Sequence, residues 1–427
     1  MESHSLDGLT IVLNKEGART YTKVSYPIRY GRFAEIRTQD HIFQFNLNGE
    51  IKHIQGQGHN WPHPTEWLKR TVGNDWIYYS AGDYKGIYEL FGEYYFPCLS
   101  YPSNAIMGEN PFENEAITSA IRAWRKFQER VSDLGSTLAS HPLKRFLSRI
   151  TQQNDQRLAA RAEELHQILG GHITVLPPDT RHVDYEVIPL IVADGCLYNC
   201  GFCRVKSNRG FQLRRPEDIL AQIMNLRRLY GDDLPNYNAV FLGEHDALRA
   251  GRDVIEFSAS KAYELFGLEH SHMREVRLFL FGSAHSVLQS EDALFECLNN
   301  YPYYTYINVG LESADPATLT ALRKPIGVEL VREAFARMMD INRRYDRIEI
   351  TANFLLSDRF PLDHFVSLAK LVDTKSEFPS VKGGLYLSPL VEGRNEDGAK
   401  RRRLLKKFYE IKVQSPLPAY LYLIQRL

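Results

Sequence analysis

The chain has 427 residues, 44% hydrophobic and 24% charged, with 52 Lys+Arg balanced by 52 Asp+Glu. That length predicts two or three domains, each with enough apolar material for a core. Zero net charge excludes a global basic field for nucleic acid or anionic membrane; no run approaches the roughly 20 apolar residues of a spanning helix, and five cysteines do not make a disulfide scaffold.

Residues 1–8 are acidic and polar, without the regions of a secretory signal, and the chain is expected in the cytoplasm. Residues 1–112 are rich in Tyr, Trp and Gly and read as a smaller α+β accessory or substrate domain. Segments 30–37 and 41–47 read as strands, and Asn48-Gly49 as a two-residue hairpin turn into a strand at 50–55. Segments 76–80 and 94–97 read as further short strands. Residues 113–180 form a helical connector or lid. Ile117, Ile121, Trp124, Phe127 and Val131 fall at helical spacing, and a second helical pattern runs from Pro142 to Leu169, where Gly170-Gly171 stops it.

From 181 to 395 the texture is α/β. The apolar run 187–193 suits a buried strand of a parallel sheet. Helix 215–230, strand 239–242, helix 259–266, strand 276–281 and helix 292–298 follow. Strand 304–309, helix 328–344, strand 348–355, helix 363–374 and strand 384–387 complete the series. Six strand–helix repeats predict a partial (β/α)6 TIM-type barrel with its chemistry at the C-terminal ends of the strands. Residues 396–427 form a helix and tail. The basic run 400–407 reads as a solvated helix face, Ser415-Pro416-Leu417-Pro418 breaks the helix, and the apolar segment 420–424 packs back on a barrel edge.

The chemistry concentrates in Asp194-Gly195-Cys196-Leu197-Tyr198-Asn199-Cys200-Gly201-Phe202-Cys203, directly after the first barrel strand. Soft thiolates select iron–sulfur clusters, zinc or copper. Three cysteines leave one iron of a [4Fe–4S] cluster open, since full ligation takes four. A zinc site needs a fourth ligand, and Cys98 and Cys297 are single and distant. A thioredoxin-like Cys200–Cys203 redox pair leaves Cys196 unexplained. Buried structural cysteines fit a Gly-flanked polar loop poorly.

The C-x-x-x-C-x-aromatic-C spacing resembles the signature of the radical S-adenosylmethionine (SAM) superfamily. The resemblance implies that Cys196, Cys200 and Cys203 hold a [4Fe–4S] cluster and that its open iron chelates SAM. It also implies reductive cleavage to a 5′-deoxyadenosyl radical, which abstracts hydrogen from substrate, and it places Phe202 near the adenine. The barrel is then a radical SAM barrel. Gly243-Glu244-His245-Asp246, at the second strand's end, resembles the family's Gly-Gly-Glu segment, with either Glu244 or Asp246 on the SAM ammonium. Gly310-Leu311-Glu312-Ser313 with Lys324-Pro325 resembles the strand-four motif of the elongator-, methylthiotransferase- and coproporphyrinogen-oxidase-type branch. By that resemblance Glu312 and Ser313 join the SAM pocket.

Ser283 and His285, at the third strand's end, are candidates for SAM or substrate contact. Glu349 and Asn353 share one strand face by the period-two rule, and Asn353 is a further SAM candidate. Lys324 reads as a carboxylate partner or a solvated helix-end lysine. The resemblance covers about 185–390; residues 1–180 match no such pattern, and there is no second cysteine cluster and no cobalamin signature. The reading is an enzyme with one cluster and one SAM, acting on a small-molecule substrate and fed by an external electron donor of flavodoxin or ferredoxin type. The N-terminal domain and helical lid would close over its mouth. A tRNA-modifying radical SAM enzyme and a non-catalytic iron–sulfur or zinc structural protein are the alternatives. No general acid or base stands out, and Cys98 and Cys297 are candidate hydrogen donors against the commoner reading as buried thiols.

Overall fold

Alternating apolar and polar residues in the first hundred positions build an antiparallel meander. The computed structural model describes residues 1–21, 29–82, 86–100, 110–136, 141–198, 200–203, 210–373, 382–390 and 398–427. Asn199 and Thr374, both inside expected features, lie outside the described residues.

Strands β1 (Glu2–Leu6), β2 (Leu9–Glu16), β3 (Arg32–Arg37), β4 (His41–Phe45), β5 (Ile51–Gly56), β6 (Trp67–Arg70), β7 (Trp76–Ser80) and β8 (Phe96–Cys98) pair in chain order. A short helix, α1 (Ile87–Phe91), precedes β8. The turn between β4 and β5 has three residues rather than the expected two. Asn46 donates its N–H to Glu50 O at 3.0 Å, and Gly49 takes φ 79°. The Asn46 side chain accepts from the N–H groups of Asn48 and Glu50, fixing this longer loop.

Three helices follow, α2 (Glu115–Ser136), α3 (His141–Gln152) and α4 (Asp155–Leu169). The Trp124 ring lies 5.7 Å from Phe43 and 5.2 Å from Phe45, and Phe127 lies 5.1 Å from Phe43. The apolar stripe of α2 thus finds its partner on the meander. Helix α2 covers the N-terminal sheet, while α4 reaches the barrel, its Leu169 O accepting from Arg214 at 2.7 Å.

The second sheet is parallel. Its strands are β9 (Ile188–Leu190), β12 (Ala239–Leu242), β13 (Arg277–Ser283), β14 (Tyr304–Glu312), β15 (Ile348–Leu356), β16 (Leu385–Pro389) and β17 (Ala419–Leu421), adjacent in that order. A small antiparallel ribbon of β10 (Ala193–Asp194) and β11 (Gln212–Leu213) follows β9. The crossovers use α5 (Pro216–Tyr230), α6 (Gly251–Phe266), α7 (Ala284–Gln289) and α8 (Asp292–Asn300), then α9 (Pro316–Ala321), α10 (Val328–Arg344) and α11 (Leu362–Asp373). Helix α12 (Gly398–Gln414) precedes β17. The expected six strands are present, and the C-terminal segment adds a seventh, paired with β16 from Leu385↔Ala419 to Leu387↔Leu421.

The meander docks on the N-terminal ends of the barrel strands. Asn48 donates to Tyr230 O at 2.8 Å, Arg32 N–H to Asn236 at 2.8 Å, and Arg274 N–H to Arg19 O at 2.7 Å. A 3-10 turn, Pro178–Val183, plugs the same end: Asp179 accepts from Thr351 at 2.8 Å and Tyr386 at 2.9 Å. The described residues of the N-terminal domain therefore dock at the start of the barrel strands and along the C-terminal tail, and none of those before Thr174 lines the cavity they were expected to close over. The reason is electrostatic: buried Lys69 and part-buried Lys52 converge on Glu186, just ahead of β9, at 2.6 and 2.7 Å.

Burial works to raise the Glu186 carboxyl, yet those two ammonium groups hold it at about 2. A carboxylate held below its unfolded value of about 4.3 adds stability above that value, and the gain is lost as pH falls toward the folded value. Urea unfolding is expected to show a loss on the order of 3 kcal/mol between about pH 5 and 2 from this group. Glu186→Gln should flatten the slope; an unchanged acid slope in that variant would remove the assignment.

Candidate active site

A cavity of about 520 Å³ opens at the C-terminal ends of the parallel strands, within the range that holds small ligands. Its walls come from the cysteine loop after β10, the turn after β12, the ends of β13 to β16 and the tail after β17. Among the described residues, none before Thr174 lines it.

The cysteine loop is fixed at its base. Gly195, φ 76°, turns the chain out of β10. Arg214 grips Asp194 with two hydrogen bonds of 2.8 and 2.7 Å and reaches Leu169 O at 2.7 Å. The loop then leans toward β13 and β14. Gly201 N–H donates to Leu322 O at 2.8 Å, and the Tyr198 hydroxyl meets His285 Nδ1. Cys196, Cys200 and Cys203 all line the cavity, none of them in a disulfide, and Cys196 Sγ accepts the Tyr198 N–H at 3.4 Å. Burial pushes the Cys200 thiol up to about 11 against the pull of the Lys324 ammonium. Metal ligation would deprotonate such a thiol. Among the described residues no three His, Cys, Asp or Glu groups converge on one ion.

The cavity also holds buried acceptors without donors. Both carboxylate oxygens of Asp246, Glu312 Oε2 and Asn353 Oδ1 have no hydrogen-bond partner. Burial raises the Asp246 carboxyl. The nearby Ser283 and Ser286 hydroxyls, which bond each other at 3.2 Å and cap α7, pull the Asp246 carboxyl down against that burial without reversing it. Glu312 sits at φ 68°, beside a register shift between Gly310 and Glu312. An acidic residue held in left-handed backbone at a strand end is strain of the kind found where ligands bind. Lys324 is buried, donating to Gly310 O at 2.9 Å and Glu312 Oε1 at 3.2 Å, with its ammonium 5.3 Å from the Tyr198 ring. It is not the solvated helix-end lysine.

This donor-hungry cavity fits SAM, whose ammonium and ribose hydroxyls supply donors, and the cysteine trio fits the cluster. Phe202, Gly243, Glu244, Asp246, Ser283, Glu312 and Asn353 all line it. Of the two acids after β12, Glu244 is occupied: its Oε1 accepts the N–H and hydroxyl of Thr174, both at 2.7 Å.

Ser313, expected in the SAM pocket, is not among the residues lining the cavity. It is fully buried outside the cavity lining, bonded to His364 Nδ1 at 2.8 Å. His364 Nε2 donates to Leu355 O at 3.0 Å, so its neutral ring accepts from the serine; burial lowers His364 to about 4. Strand β14 ends at Glu312, whose φ of 68° turns the chain before Ser313. His285 holds Tyr198 rather than lining the cavity. Glu349 shares Asn353's face but lies at the plugged end, accepting Gly383 N–H at 3.1 Å. Cys98 is buried in β8 and Cys297 sits on α8, neither at the mouth. The reading missed Tyr198, Asn308, Val175, Leu390, Tyr422 and Ile424. Asn308 was readable from its phase with Gly310 and Glu312; the tail had no local signal.

Residues 190–372 match the profile of the Radical SAM superfamily. No curated protein matches the chain. Similar solved structures include a radical SAM methyltransferase from Sphaerobacter thermophilus, at 14% identity and TM-score 0.37, covering 55% of this chain and 65% of that one. The cobalamin-dependent S-adenosylmethionine radical enzyme OxsB, with aqua-cobalamin and S-adenosylmethionine bound, is similar at 14% identity and TM-score 0.32, over 54% of this chain and 31% of that one. Methylornithine synthase (PylB) is similar at 11% identity and TM-score 0.33, over 75% and 85%. The chain thus spans less than two thirds of the first two of these proteins. Among the described residues no helix is long and apolar enough to cross a membrane.

Proposed function

We propose, from the match of residues 190–372 to the Radical SAM superfamily profile, that this chain is a SAM-cleaving radical enzyme of that superfamily with one [4Fe–4S] cluster at Cys196, Cys200 and Cys203. The observation carrying the reading is that these three thiols face one cavity with the unpartnered acceptors of Asp246, Glu312 and Asn353. When bound, the cluster and SAM supply a 5′-deoxyadenosyl radical that takes a hydrogen atom from substrate.

The chain's own residues bind and orient. Asp246 receives the SAM ammonium, Glu312 and Asn353 accept from its hydroxyls, and Phe202 offers an aromatic face. Gly243, φ 98°, lets the backbone approach closely: a Cβ there would lie 2.9 Å from Ala247 Cβ. Glu244 clamps Thr174 at the rim, and Lys324 sets a positive charge near Cys200 and holds Glu312 in its strained position. The Gly-Leu-Glu strand with its trailing Lys-Pro supports kinship with the elongator, methylthiotransferase and coproporphyrinogen-oxidase branch. The electron comes from an external flavodoxin- or ferredoxin-type donor.

Anaerobic reconstitution with iron and sulfide tests this directly. Broad iron–sulfur absorption in the blue is expected, with 5′-deoxyadenosine formed on adding SAM and reductant. Zinc without sulfide would install the structural-protein reading, and a cluster that never cleaves SAM would overturn the enzymatic one.

A further inference from the structure

The barrel interior carries a hydrogen-bonded line from its plugged end to the cavity. Asn308 on β14 and Thr351 on β15 are direct partners across the sheet, and Asn308 Nδ2 donates to Thr351 Oγ1 at 3.0 Å. Thr351 donates in turn to Asp179 Oδ2 at 2.8 Å, and Tyr386 on β16 donates to Asp179 Oδ1 at 2.9 Å. Arg181 Nε donates to the Tyr386 hydroxyl at 2.8 Å. Of these residues Asn308 alone lines the cavity, together with Asp246, Glu312 and Asn353. We propose that Asp179 is a positioning residue: through Thr351 it sets which end of the Asn308 amide faces bound SAM. The proposal rests on the SAM reading of that cavity.

Donor and acceptor capacity fixes the directions along the line. A guanidinium only donates, so the Tyr386 oxygen accepts from Arg181 and its single proton goes to Asp179. Arg181 is itself held by the N-terminal domain, donating to Gly92 O at 3.1 Å and lying 3.6 Å from the Glu93 carboxylate. An ionised Asp179 can only accept, so Thr351 spends its proton there and takes one from Asn308 Nδ2. Asn308 Oδ1 is then the end left for the cavity, a further acceptor beside those of Asp246, Glu312 and Asn353. Protonation reverses one half of this line. Oδ1 of Asp179 keeps accepting from Tyr386, so the added proton goes on Oδ2 and turns to Thr351. The Thr351 proton is released toward Asn308, whose amide rotates to accept it through Oδ1 and presents Nδ2 to the cavity.

Asp179 titrates in an accessible range. Burial, and then the Glu349 carboxylate, raise it to about 7 against the Thr351 hydrogen bond, the Arg181 charge and the Tyr386 hydrogen bond. Among the described residues, the ionisable groups facing it are Glu349 on β15, Tyr306 on β14, Tyr386 on β16, Tyr422 in the tail and Arg181 on its own turn. His182, on the same turn, stacks on Tyr306 at 4.8 Å.

The test uses the full chain with its cluster oxidised, between about pH 8.5 and about pH 5.5, either side of that value. In protein isotope-labelled at asparagine nitrogen, the side-chain amide resonance absent from Asn308→Ser identifies Asn308. It is expected to shift with a midpoint near 7 in the wild type. Asp179→Asn turns its carbonyl to Tyr386 and its amide to Thr351, and should hold the resonance at its acid position at every pH. Thr351→Val should remove the shift and Thr351→Ser should keep it. Calorimetric titration with SAM should weaken about three- to tenfold from the alkaline to the acid end, the worth of one hydrogen bond. Asp179→Asn should bind at the weaker level throughout. His245 and Asp246 also line the cavity, so the affinity profile is read as the difference between wild type and variant.

An Asn308 resonance that ignores pH in the wild type would overturn the proposal, as would a wild-type affinity profile retained in Asp179→Asn. If Asp179→Asn fails to fold by circular dichroism, the Thr351 pair decides on the same readouts. Absence of SAM binding at every pH would sink the SAM reading instead, while the amide resonance still judges the role of Asp179.

Discussion

Replacing any one of Cys196, Cys200 or Cys203 by alanine is expected to bring 5′-deoxyadenosine formation down to the reductant-only background. Iron and sulfide content should collapse with it. In the proposed ligand set each thiolate would hold a different iron, so one substitution would leave a cluster with two protein ligands and a second iron without one. Even outer-shell partners of metal ligands cost roughly 10- to 100-fold, and a direct ligand costs more. Cys98→Ala and Cys297→Ala are the matched controls. Cys98 is buried opposite Tyr78 in the N-terminal sheet, and Cys297 lies on α8 outside the cavity. Both should retain cluster and SAM cleavage. Any one of the mouth cysteines dispensable for both readouts would refute the ligand set, and loss of cleavage in Cys98→Ala would reopen its role as a hydrogen donor.

Much of the site was legible because its signals are local. The cysteine spacing, the acid–Gly turn after β12 and the Gly-Leu-Glu strand each lie within ten consecutive residues at a strand end. Ser313, read as one unit with Glu312, lies beyond the end of β14 and bonds His364 instead of lining the cavity, a turn set by the left-handed Glu312 that no local pattern announces. The placement of the N-terminal sheet was not legible. It depends on Lys52, Lys69 and Glu186 meeting across more than a hundred residues of chain, and such pairings leave no local pattern. The seventh strand escaped for a related reason. Ala419–Leu421 is three residues long, too short for periodicity, and becomes a strand because β16 offers an open edge.

The choice between Glu244 and Asp246, open in the sequence, becomes a quantitative prediction. Asp246→Asn is expected to weaken SAM binding by about 2 kcal/mol or more, roughly 30-fold in Kd, because it removes the charged partner of a desolvated ammonium. The same substitution should leave the ligand-free protein as stable or more stable, since it removes a buried carboxylate that has no donor. The pH dependence follows. Burial raises the Asp246 carboxyl above its unfolded value, so its contribution is fully present below that value, about 3.9, and is lost as pH rises through the folded pKa. Wild-type ligand-free protein should therefore lose a stability increment over that window that Asp246→Asn does not. Affinity falling while stability holds or rises is an opposition that a purely structural carboxylate would not produce. Glu244→Gln should cost SAM binding no more than about tenfold, because its carboxylate already serves Thr174. Isothermal titration of both variants against SAM decides the matter. If Asp246→Asn binds within about threefold of wild type while Glu244→Gln loses more than tenfold, the ammonium belongs to Glu244, and the Thr174 clamp must open to receive it.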